Sequence, residues 1–282
     1  MNGLAISGAS TKLTFSSGIS VKLAQSKNYD IITGISAGSI ISLLLAIGEY
    51  DLLKEAVTNS TESDFFKTAP LNNNGNITLG AILRVVSGKE SLGDFTLGDL
   101  LRRYYTSDMH DKMMKCGKIV KVGATNMNLN RIEYQDITKV DYDTALLWVV
   151  ASSSIPVATQ MIKIGNYYYA DGGVIQNVGG MEAISSGATS LDVVFSRPEK
   201  TEPSVNDYNW KPTNIISVVT RVLDSIADTN SFNDEEEITL ECQNKNIPLK
   251  MYYPPYELTY SLYKIDTDLS KSWYQLGLDT TI

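Results

Sequence analysis

The stretch Ile31-Ile32-Thr33-Gly34-Ile35-Ser36-Ala37-Gly38-Ser39-Ile40 constrains the fold of this chain more than any other. A short β-branched run meets a Gly-x-Ser-x-Gly pentad and passes straight into an apolar helical run over 40–47. That pattern predicts a strand, a tight turn and a helix. Gly34 and Gly38 omit the Cβ atoms that would clash where strand and helix approach. The expected product is a serine hydroxyl raised at the carboxyl end of a strand. It would face a helix N-terminus, whose N–H groups favour developing negative charge. Small-residue turns also arise for structural reasons alone, so the pentad gains its weight from the strand before it and the helix after it.

The chain has a single histidine, His110. A Ser-His-Asp triad in the α/β-hydrolase order places its histidine last in the chain. His110 instead lies in the polar segment 104–112, which reads as an exposed helix end, and the imidazole as structural or solvated. With one imidazole, and with Cys116 and Cys242 isolated, no metal-ligand spacing is present. Two cysteines allow one disulfide, but isolated thiols this far apart in sequence read better as a reducing compartment. The N-terminus lacks a basic segment followed by an apolar one, and no apolar run reaches membrane-spanning length. A cytoplasmic, soluble protein able to visit a membrane surface is therefore expected. The net charge of −8, with dispersed lysines and arginines, argues against a nucleic-acid partner. At 282 residues and 43% apolar content, one large α/β domain or two small domains are allowed.

Read in order, residues 4–6 predict a strand, 7–12 a small polar loop, 14–25 a helix and 29–33 the strand into the pentad. Strand, helix, strand, helix implies a parallel right-handed unit with both loops on one sheet edge. Helix continues over 40–58 with a break at Gly48. Amphipathic helices are expected over 77–86 and 97–105, as a helical insertion around 50–115. Strands are expected at 119–125 and 131–135, a helix at 143–153, and a hairpin over 161–169 turning at Gly165-Asn166. Asp171-Gly172-Gly173 then presents a carboxylate on a tight turn, although Asp-Gly is also a common turn dipeptide. A helix at 180–186, a buried strand at 191–195, a polar loop at 197–212 and a helix at 215–226 follow. The acidic run 234–237 reads as the solvated start of another helix. A strand ends in 250–256, and Tyr260 and Tyr263 read as partly buried packing residues.

Taken together, the 7–12 loop, the serine turn and Asp-Gly-Gly resemble the patatin-like phospholipase family. Gly8 and Lys12 fall where the family's glycine-rich oxyanion motif has a glycine and a basic residue. Gly34-Ile35-Ser36-Ala37-Gly38 matches its nucleophile elbow. Ala151-Ser152-Ser153-Ser154-Ile155-Pro156 resembles the small-residue block ending in proline. Asp171-Gly172-Gly173 and Asn177 match the aspartate motif and the asparagine that often follows it. The chain departs from the family pattern at Ala9, Ser10 and Leu13, where glycines are usual.

The resemblance implies a three-layer α/β/α fold with a mostly parallel central sheet over 1–282, and a poorly diagnostic C-terminal region 197–282. It implies a Ser-Asp dyad that needs no imidazole and no cofactor. Ser36 would be the nucleophile and Asp171 the base, with backbone N–H groups of Gly8, Ala9 and Ser10 as the oxyanion hole. Lys12 would support that loop or attract a phosphate. The implied substrates are phospholipids or other lipid esters, cleaved through an acyl-enzyme. A non-catalytic lipid-binding protein, an acyltransferase and a small-ester hydrolase remain open alternatives.

Overall fold

The structure, a computed structural model, describes residues 1–9, 12–72, 76–199, 211–212, 215–258 and 265–282. Ser10, Tyr260, Tyr263 and most of the polar 197–212 stretch lie outside the described residues. Strand β1 (Asn2–Ile6), helix α1 (Leu13–Ser26) and strand β2 (Ile31–Ile35) form the expected parallel unit. Helix α2 (Ala37–Leu45) begins directly after Ser36, three residues earlier than the apolar run suggested. The chain turns at Gly48, where φ is 76°, into α3 (Tyr50–Asn59).

The next segment holds α4 (Glu62–Phe65), β3 (Phe66–Thr68), α5 (Leu79–Val86), β4 (Asp94–Phe95), α6 (Leu97–Tyr104) and α7 (Ser107–Lys115). In it, β3 and β4 pair as a separate antiparallel ribbon. The chain continues through β5 (Ile119–Asn126), β6 (Arg131–Asp136), α8 (Tyr142–Ser152), β7 (Ile162–Ile164) and β8 (Tyr167–Asp171). It closes with α9 (Gly180–Ser185), β9 (Ser190–Val194), α10 (Ile215–Lys245), β10 (Leu249–Tyr252) and α11 (Thr267–Asp279).

The main sheet runs β10-β9-β1-β2-β5-β8-β7, with β6 also paired to β5. The pairs from β10 to β5 are parallel, and β6, β7 and β8 pair antiparallel. Period-two alternation makes the layers: Leu4 and Ile6 enter one core with Phe15, Ile19 and Ile41, while Ala5 enters the other with Val193, Ala183 and Ile238. Helices α1, α2 and α8 thus cover one face, and α9 and α10 the other. This is the α/β architecture with a mostly parallel sheet that the pattern implied.

Three local readings are corrected. The helix expected over 215–226 runs to Lys245, so the acidic run lies inside α10 rather than at a helix start. Asp234 in that run is buried, because its carboxylate receives two backbone N–H groups. His110 is also buried, not exposed: Nε2 lies 2.7 Å from the Val140 carbonyl and Nδ1 3.0 Å from the Tyr105 hydroxyl. A carbonyl can only accept, so Nε2 donates to it.

Candidate active site

Two strand ends meet head to head along one edge of β5. Parallel β2 ends with Ile35 opposite Gly123, and antiparallel β8 arrives from the other direction and ends with Asp171 opposite Ala124. Strand β6 occupies the far edge of β5 over the same residues, so β2 and β8 must share the near one. Residues 36 and 171, 135 positions apart, are therefore neighbours by register, and the Ser36 Oγ donates to Asp171 Oδ2 at 2.6 Å. Small residues permit the approach: a Cβ on Gly172 would stand 2.7 Å from the Gly123 carbonyl oxygen and from Ile35.

Ser36 has φ 53° and ψ −123°, a conformation that L-residues rarely hold. The surrounding close packing keeps it there. A Cβ on Gly34 would fall 2.3 Å from the Gly38 carbonyl oxygen, and one on Gly38 2.2 Å from the Ile6 carbonyl oxygen. The backbone is also tied: the Ser36 N–H donates to Ser152 Oγ at 2.8 Å, and that hydroxyl donates to the Gly123 carbonyl at 2.6 Å. Ser39 and Ser153 hydroxyls donate to the Ser36 carbonyl. The small-residue block around Ser152 therefore braces the serine turn.

Asp171 is buried, and burial raises its carboxyl from 3.8 to about 6. The hydrogen bonds from Ser36 and from the Gly173 N–H, the latter at 2.8 Å to Oδ1, oppose that rise. A carboxylate in this state is a stronger base than an exposed one and still ionised at neutral pH.

Of the loop residues, Gly8 touches the site closely: an added Cβ would lie 3.3 Å from the Ser36 Cβ. Its N–H, however, donates to the Asn177 carbonyl at 3.0 Å, and its carbonyl accepts from Ser196 Oγ at 2.6 Å. The Ala9 carbonyl accepts the Lys12 N–H. Lys12 is buried and its Nζ is 2.7 Å from Glu257 Oε1, so the ammonium is paired inside the protein.

Sequence reasoning missed the brace supplied by α10. Asp234 Oδ2 accepts the N–H groups of Asn177 and Val178 at 2.7 and 2.8 Å. Asn177 Nδ2 donates to Ser231 Oγ, and Asn230 Nδ2 donates to the Gly173 and Val174 carbonyls. Arg197 pairs with Glu235 and stacks over Phe232. One helix thus grips the turn that carries Asp171 and, through Asn177, the Gly8 loop. The acidic run was the available signal, but its burial depends on tertiary register.

Two hollows meet at Ser36. One is apolar, lined by side chains such as Ile40, Leu44, Phe66, Phe95, Leu97 and Leu100. The other brings Lys12, Asp171, Asn177, Arg197 and Asp228 together with apolar residues such as Ile155, Val174 and Leu223. Burial raises the Asp228 carboxyl, and Lys12 acts against that rise.

No curated protein matches the chain by sequence. Among solved structures, VipD from Legionella pneumophila is similar with a TM-score of 0.38 and 15% identity, over 74% of this chain and 52% of VipD. The chain thus spans about half the length of that protein. The family model for patatin-like phospholipases matches residues 4–184, which include most of β1, the serine turn, the small-residue block and the aspartate turn. That match covers well over half of the sequence, and the chain belongs to the patatin-like phospholipase family.

Proposed function

We propose that this protein hydrolyses carboxylic esters of lipids, of the phospholipase A or lysophospholipase type, with Ser36 as nucleophile and Asp171 as base. The observation that carries this reading is the 2.6 Å hydrogen bond between a strained serine and a buried carboxylate. Ser36 Oγ attacks the acyl carbonyl carbon as its proton passes to Asp171 Oδ2. The tetrahedral intermediate then collapses, the ester C–O bond breaks, and the departing alcohol takes the proton back from Asp171. Water repeats the sequence: Asp171 accepts its proton, the oxygen attacks the acyl-enzyme, and the proton returns to Ser36 as the fatty acid leaves.

The oxyanion would be held at the N-terminus of α2 and by the Ala9 N–H. Gly8 would contribute by allowing close approach, since its N–H is engaged with Asn177. Ser10 lies outside the described residues. The first hollow suits an acyl chain, and the second, with its charged groups set among apolar ones, the rest of the ester. Lys12 supports the loop through Ala9 and Glu257. The engaged Gly8 N–H also favours a second reading, a lipid-binding protein on the same scaffold. Hydrolysis of a lysophospholipid and of a short-chain ester by the wild type, with no turnover by Ser36→Ala, separates the two. Turnover by Ser36→Ala at the wild-type rate would defeat the assignment.

A further inference from the structure

Helix α5 has its apolar stripe turned the wrong way for a core helix. Leu79, Ile82, Leu83 and Val86 have the i, i+3, i+4, i+7 spacing of one face. Their exposures are 71, 47, 59 and 80%, and Val85 beside them is 54% exposed. The opposite side is what holds the helix down: Ala81 is fully buried, packed with Leu92, and Arg84 reaches Ser91 and Asp94. The five outward side chains present on the order of 500 Å² of apolar surface, as large as the biggest patch on a typical monomer.

We propose that this face of α5 docks into the surface of a lipid bilayer, a proposal that rests on the lipid-ester reading above. Two observations select a bilayer as the occupant. The first is continuity with the site. The α5 residue Gly80 abuts Thr68 of β3, with an added Cβ 2.6 Å from its methyl group. The same β3–β4 ribbon supplies Phe66 and Phe95, with ring centroids 5.6 Å apart, to the apolar hollow that opens from Ser36. Seating α5 in the lipid would bring that ribbon to the bilayer, and an acyl chain could pass between lipid and hollow.

The second observation is charge. The chain carries −8 overall, yet the exposed charges of residues 66–90 are Lys67 and Lys89 against Glu90, Arg84 being paired with Asp94 on the inner side of the helix. An apolar stripe flanked by cations matches the headgroup and acyl boundary of an anionic membrane.

The test uses the full chain with Ser36→Ala, so that binding is read without turnover. Vesicles of phosphatidylcholine containing about one-third phosphatidylglycerol are the probe. The protein should co-sediment with them. Leu83→Glu combined with Val86→Glu, both at exposed positions, should lower the partition coefficient about tenfold or more. In a Ser36-intact background the same pair should leave hydrolysis of a monomeric short-chain ester unchanged. Val86→Trp should show a blue-shifted emission on adding vesicles. Unchanged vesicle binding by the double variant, or an emission of the Val86→Trp variant that vesicles do not shift, overturns the docking proposal. So does a dimer in sedimentation that the double variant abolishes, because a second copy would then cover the face. Failure of the wild type to hydrolyse any ester would instead defeat the dyad reading and leave the vesicle result to stand by itself.

Discussion

Replacing Asp171 with asparagine should make the fold more stable at neutral pH while abolishing hydrolysis. Burial holds this carboxyl at about 6, against 3.8 when exposed. At 1.36 kcal/mol per pH unit, keeping it ionised in the folded state costs about 3 kcal/mol at pH 8. The sign follows from the raised value. The carboxyl's contribution to stability is complete below 3.8, is lost as pH rises toward 6, and is constant above that. Asparagine removes the charge yet keeps an oxygen for the Gly173 N–H and can offer an N–H to Ser36 Oγ. The advantage of Asp171→Asn should therefore be about 1.4 kcal/mol larger at pH 8 than at pH 5. For a domain of this size that corresponds to a Tm about 6 °C above wild type at pH 8 and about 3 °C above it at pH 5. Thermal unfolding of both proteins at the two pH values measures it. A Tm difference independent of pH, or a variant less stable than wild type at pH 8, would refute the reasoning.

With Asp171 as the proposed base, the same carboxyl would set the pH profile of catalysis. Asp171 must be ionised to accept the serine proton, so kcat/KM on a soluble ester should fall below an apparent pKa of about 6, tenfold per pH unit, and be level above it. Asp234→Ala leaves the N–H groups of Asn177 and Val178 without their carboxylate, and should cost about 2–4 kcal/mol of stability along with most activity. Asp234→Asn retains an acceptor and should recover the greater part of both, as read by thermal unfolding and ester turnover. Gly38→Ala places a methyl 2.2 Å from the Ile6 carbonyl oxygen. It should destabilise the protein by about 3 kcal/mol or more, visible as a loss of folded material on purification.

What the sequence made legible was what local chemistry encodes. Gly34, Ser36 and Gly38 mark a turn by residue size alone, and the β-branched run before them marks the strand. The short apolar run Leu4-Ala5-Ile6 marks a strand, and its burial on both faces is seen only in the fold. The acidic run of α10 was opaque because burial of Asp234 depends on which backbone N–H groups a distant helix meets. His110 was misread for the same reason: a polar segment hides an imidazole held by Tyr105 and Val140. The C-terminal helix α11 carried no motif, yet it packs on α1 and α3, with Gly277 and Gly18 letting the backbones touch. The stripe of α5 was readable as amphipathic, but spacing does not say whether protein or solvent meets it. The head-to-head meeting of β2 and β8 on β5 was also hidden, since strand order is a property of the whole sheet.

The most direct measurement of the central claim is covalent labelling by a fluorophosphonate, mapped by mass spectrometry. A serine activated by Asp171 without imidazole should give a single adduct on Ser36 at pH 8, absent in Ser36→Ala and strongly slowed in Asp171→Asn. An adduct on another residue, or undiminished labelling of folded Asp171→Asn, would contradict the account.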